Sequence, residues 1–164
     1  IGTLIEERLK AFAVDVTVVR RTPGPGTLGP DDWRGRLGDF DWVILAVPAT
    51  AETEKMIGAA ELAAMKPSAT LVNIARGSVV DQDALVSALT TKSIGAAFLD
   101  VTTPEPLPTG HPLWSLDNAH ITMHLSGRAQ DKMFVRSAQR FLGNLKRYLS
   151  NEPLQHQVDL QKGY

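Results

Sequence analysis

The 164 residues contain no cysteine, which excludes both a disulfide framework and a thiolate metal site. A cytoplasmic location is compatible with that absence and is the expectation. Excess charge of either sign is missing too: 17 basic against 18 acidic side chains leave a formal net charge of −1. Without a basic surplus to neutralise phosphates, nucleic acid is not an expected partner, and there is no acidic tail. No apolar run approaches the length of a bilayer span, and the first residues lack the charged, apolar and small-residue regions of a signal peptide, so no membrane partner is expected. No pair of histidines sits at metal-ligand spacing on a helix, so no metal site is expected. An initiating methionine is also lacking. Ile1-Gly2 leads straight into a helical pattern, and the natural start is expected upstream.

What the chain does have is length enough to bury one sizeable core. Leu4, Ile5, Leu9 and Phe12 recur at helical spacing among Glu6, Glu7, Arg8 and Lys10, which predicts a helix with one buried face. A strand over 14–19 follows. Residues 22–30 include Pro23, Gly24, Pro25, Gly26, Gly29 and Pro30, and neither a helix nor a central strand persists through such a stretch. Asp31 and Asp32 stand where they would cap a short helix through Leu37. Residues 42–47 then form the continuous apolar run of a parallel strand covered on both faces. Further helices are expected at 61–65 and 82–89, with strands at 70–74, 94–101 and 120–125. From Ala129 onward, Met133, Phe134, Ala138, Phe141, Leu142, Leu145 and Leu149 mark a long amphipathic helix. The alternation predicts an α/β fold with a parallel sheet and helices on both faces, because parallel neighbours need crossover connections. Ligands bind such sheets outside the carboxyl ends of the strands.

Three segments place chemistry at such ends. Asn73-Ile74-Ala75-Arg76-Gly77-Ser78-Val79-Val80-Asp81 joins a strand to a glycine turn and a helix start. There the Arg76 guanidinium fork can meet a carboxylate in bidentate fashion. Taken alone, an arginine at a strand end such as Arg76 is more often a surface ion-pair partner. Leu99-Asp100-Val101 ends a strand and leads into Pro104-Glu105-Pro106-Leu107-Pro108 and His111-Pro112-Leu113-Trp114. Proline on both sides of Glu105 stiffens the backbone of a carboxylate that must be aimed. Ile121-Thr122-Met123-His124-Leu125-Ser126-Gly127 sets a histidine at the last strand end. His111 reads as structural in its turn, His120 opens a strand and His156 lies in the tail.

Together these segments resemble the D-2-hydroxyacid dehydrogenase family, in the family's order and approximate spacing, and the resemblance runs from Ile1 to Tyr164. It implies a Rossmann-type doubly wound parallel sheet lacking its first strand, with a long C-terminal helix. Residues 1–128 would form a partial dinucleotide-binding domain, and 129–164 a C-terminal helix and tail returning toward an absent substrate domain. Ile1-Gly2 is similar to the close of a GxGxIG fingerprint, whose third glycine lets helix pack tightly on strand. The tail 158–164 is similar to the family's usual C-terminus. A chain lacking the central first strand would leave backbone groups unpaired, so these 164 residues alone are expected to fold poorly.

The resemblance also implies the site. Arg76 would bind the substrate carboxylate and polarise the carbonyl, His124 would be the general acid and base, and Glu105 would orient it and favour the imidazolium. Cofactor contacts would come from Ile1, Gly2, Val47, Pro48, Thr53, Ile74, Ala75, Arg76, Asp100, His124 and Gly127, with Asp100 accepting from the nicotinamide carboxamide. Pro48 reads also as a strand stop, Thr53 as a helix cap and Asp100 as a turn holder. Where NAD-dependent members carry an aspartate, this chain has Arg20, followed by Arg21. Adjacent arginines favour NADP, with NAD possible if both are merely solvated loop residues. The implied reaction is hydride transfer between the nicotinamide and a small 2-keto or D-2-hydroxy acid, as in glyoxylate or hydroxypyruvate reductases, by a homodimer formed through the cofactor domain. Two other readings stand beside it: a dinucleotide-sensing, corepressor-like binding protein, and a fragment inactive by itself. Thr102 departs from the family's usual aromatic residue, and Met123 from the usual proline.

Overall fold

Short apolar segments, each followed by a crossover that returns the chain to the same edge, pair here only in parallel. The computed structural model describes residues 1–127 and 132–161. Strands β3 (Trp42–Leu45), β4 (Thr70–Asn73), β5 (Ala96–Leu99) and β6 (Ala119–Ile121) form one sheet in that order, and β1 (Val18–Val19) pairs with β2 (Thr27–Leu28) in another. The register aligns Leu45, Asn73, Leu99 and Ile121 in one row, so the carboxyl ends of four strands are level. This is a Rossmann-like α/β architecture. Leu45, Leu71, Ala97 and Leu99 join Leu62 of α2 (Ala59–Ala64) and Leu85 and Leu89 of α3 (Gln82–Thr90) in one buried cluster.

Several local expectations need correction. The run at 42–47 is regular only to Leu45, and it is not covered on both faces: Trp42 is 58% and Ile44 37% exposed. Apolar character marks this row, but no described residue buries it. Its rings cover one another instead, Phe98 stacking on His120 at 4.4 Å and on Trp42 at 6.3 Å between centroids. The strand expected over 14–19 is confined to Val18–Val19, since its partner is only two residues long. The first helix, α1 (Gly2–Leu9), continues as a tight turn, Lys10–Phe12, and has no buried residue; Leu4 and Phe12 are exposed because no described element packs over them. Asp31 and Asp32 cap nothing. The tight helical turn Arg34–Asp39 starts after Trp33, and Asp32 is occupied in accepting the Gly29 N–H at 3.0 Å.

The chain divides into two compact units, Ile1–Met123 and His124–Tyr164. The boundary expected between 128 and 129, the helix start expected at Ala129, and Lys162, Gly163 and Tyr164 lie outside the described residues. The second unit is built on α4 (Met133–Leu149), on which the tail folds back: Asn144 bonds the Gln155 backbone in both directions, and Arg147 donates to the Pro153 carbonyl. None of the residues of α4 is buried. Among the described residues no helix is long and apolar enough to cross a membrane.

Candidate active site

The edge above β4 is shaped by a buried amide. Asn73, 1% exposed, ends the strand, where its Oδ1 accepts the Ala75 N–H and its Nδ2 donates to the Arg76 carbonyl, both at 3.0 Å. A buried polar group must be satisfied, and here satisfying it winds residues 74–76 into a fixed turn. That turn presents Arg76 at the surface, with Nη1 donating to the Ala75 carbonyl at 2.6 Å. Among the described residues no carboxylate lies within ion-pair distance of the Arg76 guanidinium.

Glu105 is aimed in a comparable way from β5. The strand ends at buried Leu99 and leads into buried Asp100, Val101 and Thr102, where the Thr102 N–H donates to Glu105 Oε1 at 2.9 Å while its hydroxyl donates to the Pro104 carbonyl at 3.0 Å. Asp100 Oδ1 accepts from the Thr122 hydroxyl and so ties the end of β5 to that of β6. Arg76 and Glu105 line one open cavity of about 390 Å³, together with Ala49, Ser78 and Thr102.

His124 belongs to the second unit and is exposed. The strand expected to hold it stops at Ile121, where the ladder to β5 runs out. Its φ of 53° lies in the left-handed region, which histidine enters more readily than most residues. Of the other histidines, His111 Nδ1 accepts the Leu113 N–H and His120 stacks on Phe98, as structural residues do. His156 is exposed in the tail. Among the described residues no group of histidines and carboxylates is arranged to hold a metal ion.

A family model for the NAD binding domain of D-isomer specific 2-hydroxyacid dehydrogenases matches residues 1–126. The chain belongs to the D-isomer specific 2-hydroxyacid dehydrogenase family. It is 38% identical to human glyoxylate reductase/hydroxypyruvate reductase over 98% of its own length and 50% of that protein's. It is similar to a D-isomer specific 2-hydroxyacid dehydrogenase from Xanthobacter autotrophicus Py2 solved with NADPH and MES, with a TM-score of 0.87, 36% identity and coverage of 96% of this chain and 66% of that one. It also resembles an NADPH-dependent glyoxylate/hydroxypyruvate reductase from Sinorhizobium meliloti solved with NADP and malonate, with a TM-score of 0.82, 34% identity and coverage of 99% and 51%. The chain spans about half the length of the curated relatives it matches.

The remaining family positions distribute unevenly. Val47 and Pro48 follow β3, and Ile74 and Ala75 follow β4, so all four stand on the level edge. Thr53 holds its own loop, donating to the Pro48 carbonyl at 2.7 Å and accepting the Thr50 N–H at 2.9 Å. Arg20 and Arg21 follow β1 and are already engaged, Arg20 with Glu6 at 3.6 Å and Arg21 with Glu52 at 2.7 Å. The lysine hydrogen bond from Lys10, more than Arg20, holds the Glu6 carboxyl below its usual range. Gly2 makes no close packing: a Cβ there would meet nothing within 4 Å, and the same is true of Gly127. The tight helix-on-strand contact expected of Gly2 is thus not made by any described residue.

Asn73 and Thr102 do more here than their residue types advertise. Both are polar residues inside apolar stretches, and that contrast is the feature by which sequence could have singled them out.

Proposed function

We propose that this chain is the nicotinamide-cofactor half of an NADP-dependent reductase of small 2-keto acids, glyoxylate or hydroxypyruvate among them, which also oxidises the matching D-2-hydroxy acids. The observation that supports it best is the cavity shared by Arg76 and Glu105, with a guanidinium free of carboxylate partners among the described residues. In this reading Arg76 binds the substrate carboxylate and polarises the carbonyl, a contact that strengthens as negative charge grows on the carbonyl oxygen. His124 gives that oxygen its proton, and takes it back in the oxidation. The Glu105 carboxylate favours the protonated imidazole. The bound nicotinamide supplies the hydride. Arg20 and Arg21 pair with the 2′-phosphate of NADP, and Ile1, Gly2, Val47, Pro48, Thr53, Ile74, Ala75, Asp100 and Gly127 complete the cofactor's surroundings.

The activity is assigned to the complete gene product, including the part of the relatives' length that this chain does not span, and that part chooses among keto acids. The assembly proposed is a cytoplasmic homodimer joined through the cofactor domain. The test is NADPH and NADH consumption by the complete gene product with a panel of 2-keto acids. Turnover with glyoxylate or hydroxypyruvate, faster with NADPH, is expected. No turnover with any keto acid would overturn the reductase, and a clear NADH preference would overturn the NADP assignment.

A further inference from the structure

Beneath the Glu105 loop lies a side chain that the proposed chemistry does not use. Gln82 is the first residue of α3, and both ends of its amide meet the backbone of Thr103. Nε2 donates to the Thr103 carbonyl at 2.6 Å, and Oε1 accepts the Thr103 N–H at 2.9 Å. One such bond would fix a distance; two to the same residue fix rotation as well. They also dictate which end of the amide is nitrogen, since the reverse would set donor against donor and acceptor against acceptor.

The clamp has a firm base. Asp81 caps α3 by accepting the Ala84 N–H at 3.2 Å, and its own N–H donates to the Ile57 carbonyl at 2.9 Å, so Gln82 rides on an anchored helix start. Gln82 Nε2 also lies 3.1 Å from Nε2 of His111, which opens the next turn. The gripped segment is the one that aims the carboxylate: Thr103 follows Thr102, whose N–H holds Glu105 Oε1. Gly77 presses on that segment from the β4 side, where a Cβ would overlap the Thr102 carbonyl. The loop is therefore held from two elements, and the hold supplied by Gln82 is directional.

We propose that Gln82 is a positioning residue for the Glu105 carboxylate, its two-point grip on Thr103 fixing the loop that aims that carboxylate. The inference rests on the reductase reading above. Arg76 and Glu105 are the charged groups of the cavity, and His111 is the titratable group against the Gln82 amide. With the grip lost, Glu105 supports the protonated histidine less, and keto-acid reduction fails at a lower pH than in the wild type.

The experiment compares wild type, Gln82→Met and Gln82→Asn in the complete gene product, with NADPH and glyoxylate across a pH series. Methionine keeps the length without hydrogen bonds, and asparagine keeps the amide but is one methylene short. Expected for both is a roughly tenfold fall in kcat with KM for glyoxylate changed less than about twofold. The alkaline limb of the kcat profile moves to lower pH, and the thermal melt stays near that of wild type. A folded variant with unchanged kcat, or with lower kcat and an unmoved alkaline limb, overturns the proposal; the second result marks a merely structural staple. If Gln82→Met does not fold, the limb of Gln82→Asn decides alone. Absence of turnover in the wild type is a separate result, which overturns the reductase reading and this inference with it.

Discussion

Gly77 and Thr102 touch where the connections after β4 and β5 meet, so closely that a Cβ on Gly77 would overlap the Thr102 carbonyl. The contact couples the two segments that present Arg76 and Glu105. Gly77→Ala is expected to force them apart, costing about 1–3 kcal/mol and disturbing the site as well. Denaturant titration of the complete gene product together with kcat/KM for a keto acid checks this; an alanine variant with wild-type midpoint and activity would mean the loops yield without cost.

Arg76→Lys keeps the charge and removes the fork. Because a single ammonium cannot make two parallel bonds to a carboxylate, kcat/KM for glyoxylate should fall about a hundredfold, while the Kd for NADPH changes little. Steady-state kinetics and fluorescence titration separate the two, and equal losses in both would place Arg76 on the cofactor rather than the substrate.

In the proposed reaction His124→Ala would remove the proton donor. Turnover should drop by roughly 10²- to 10⁴-fold with cofactor affinity nearly intact. Retained turnover would refute the role.

Arg20 and Arg21 each face a glutamate, so in the proposed NADP-dependent reading the 2′-phosphate would compete with Glu6 and Glu52 for them. Arg20→Ala and Arg21→Ala should each lower the NADPH-to-NADH ratio of kcat/KM by about tenfold, the worth of a charge-assisted bond at an exposed site. Glu52→Gln should raise that ratio by weakening the ion pair that Glu52 makes with Arg21 at 2.7 Å. A ratio indifferent to all three changes would remove these arginines from cofactor selection.

Asp81 has its carboxyl held below the usual range, first by the Ala84 N–H and then by Lys55. A group depressed in the folded state stabilises above its unfolded value and loses that contribution as pH falls through the folded one. The gap in melting temperature between wild type and Asp81→Ala should thus be widest near neutral pH and close in acid. A gap constant down to pH 3 would show that the ionised carboxylate is not what matters at this cap.

The parallel strands and the loops bearing Arg76 and Glu105 were legible because continuous apolar runs, glycine turns and flanking prolines are local properties. The fates of Asn73 and Gln82 were not. Each takes its importance from a hydrogen bond whose geometry exists only after folding, and a glutamine at a helix start looks like any other. The full length expected of the strand at 14–19 and the covering of both faces expected at 42–47 were not met for a related reason: apolar composition reports a tendency to be buried, whereas burial needs a partner surface. Asp32 shows the same limit at a smaller scale, because a capping residue type was diverted to the Gly29 N–H.

The level row of Leu45, Asn73, Leu99 and Ile121 also bears on how such a protein can change. The connections after β3, β4 and β5 each contribute residues to the lining of one cavity while the registered rows below them stay paired. Lengthening the segment after β3 alters the wall at Ala49, and rebuilding the one after β5 alters the wall at Thr103, without asking any strand to shift. Innovation in such a sheet is modular, and a lineage can exchange one rim at a time while its foundation is inherited whole.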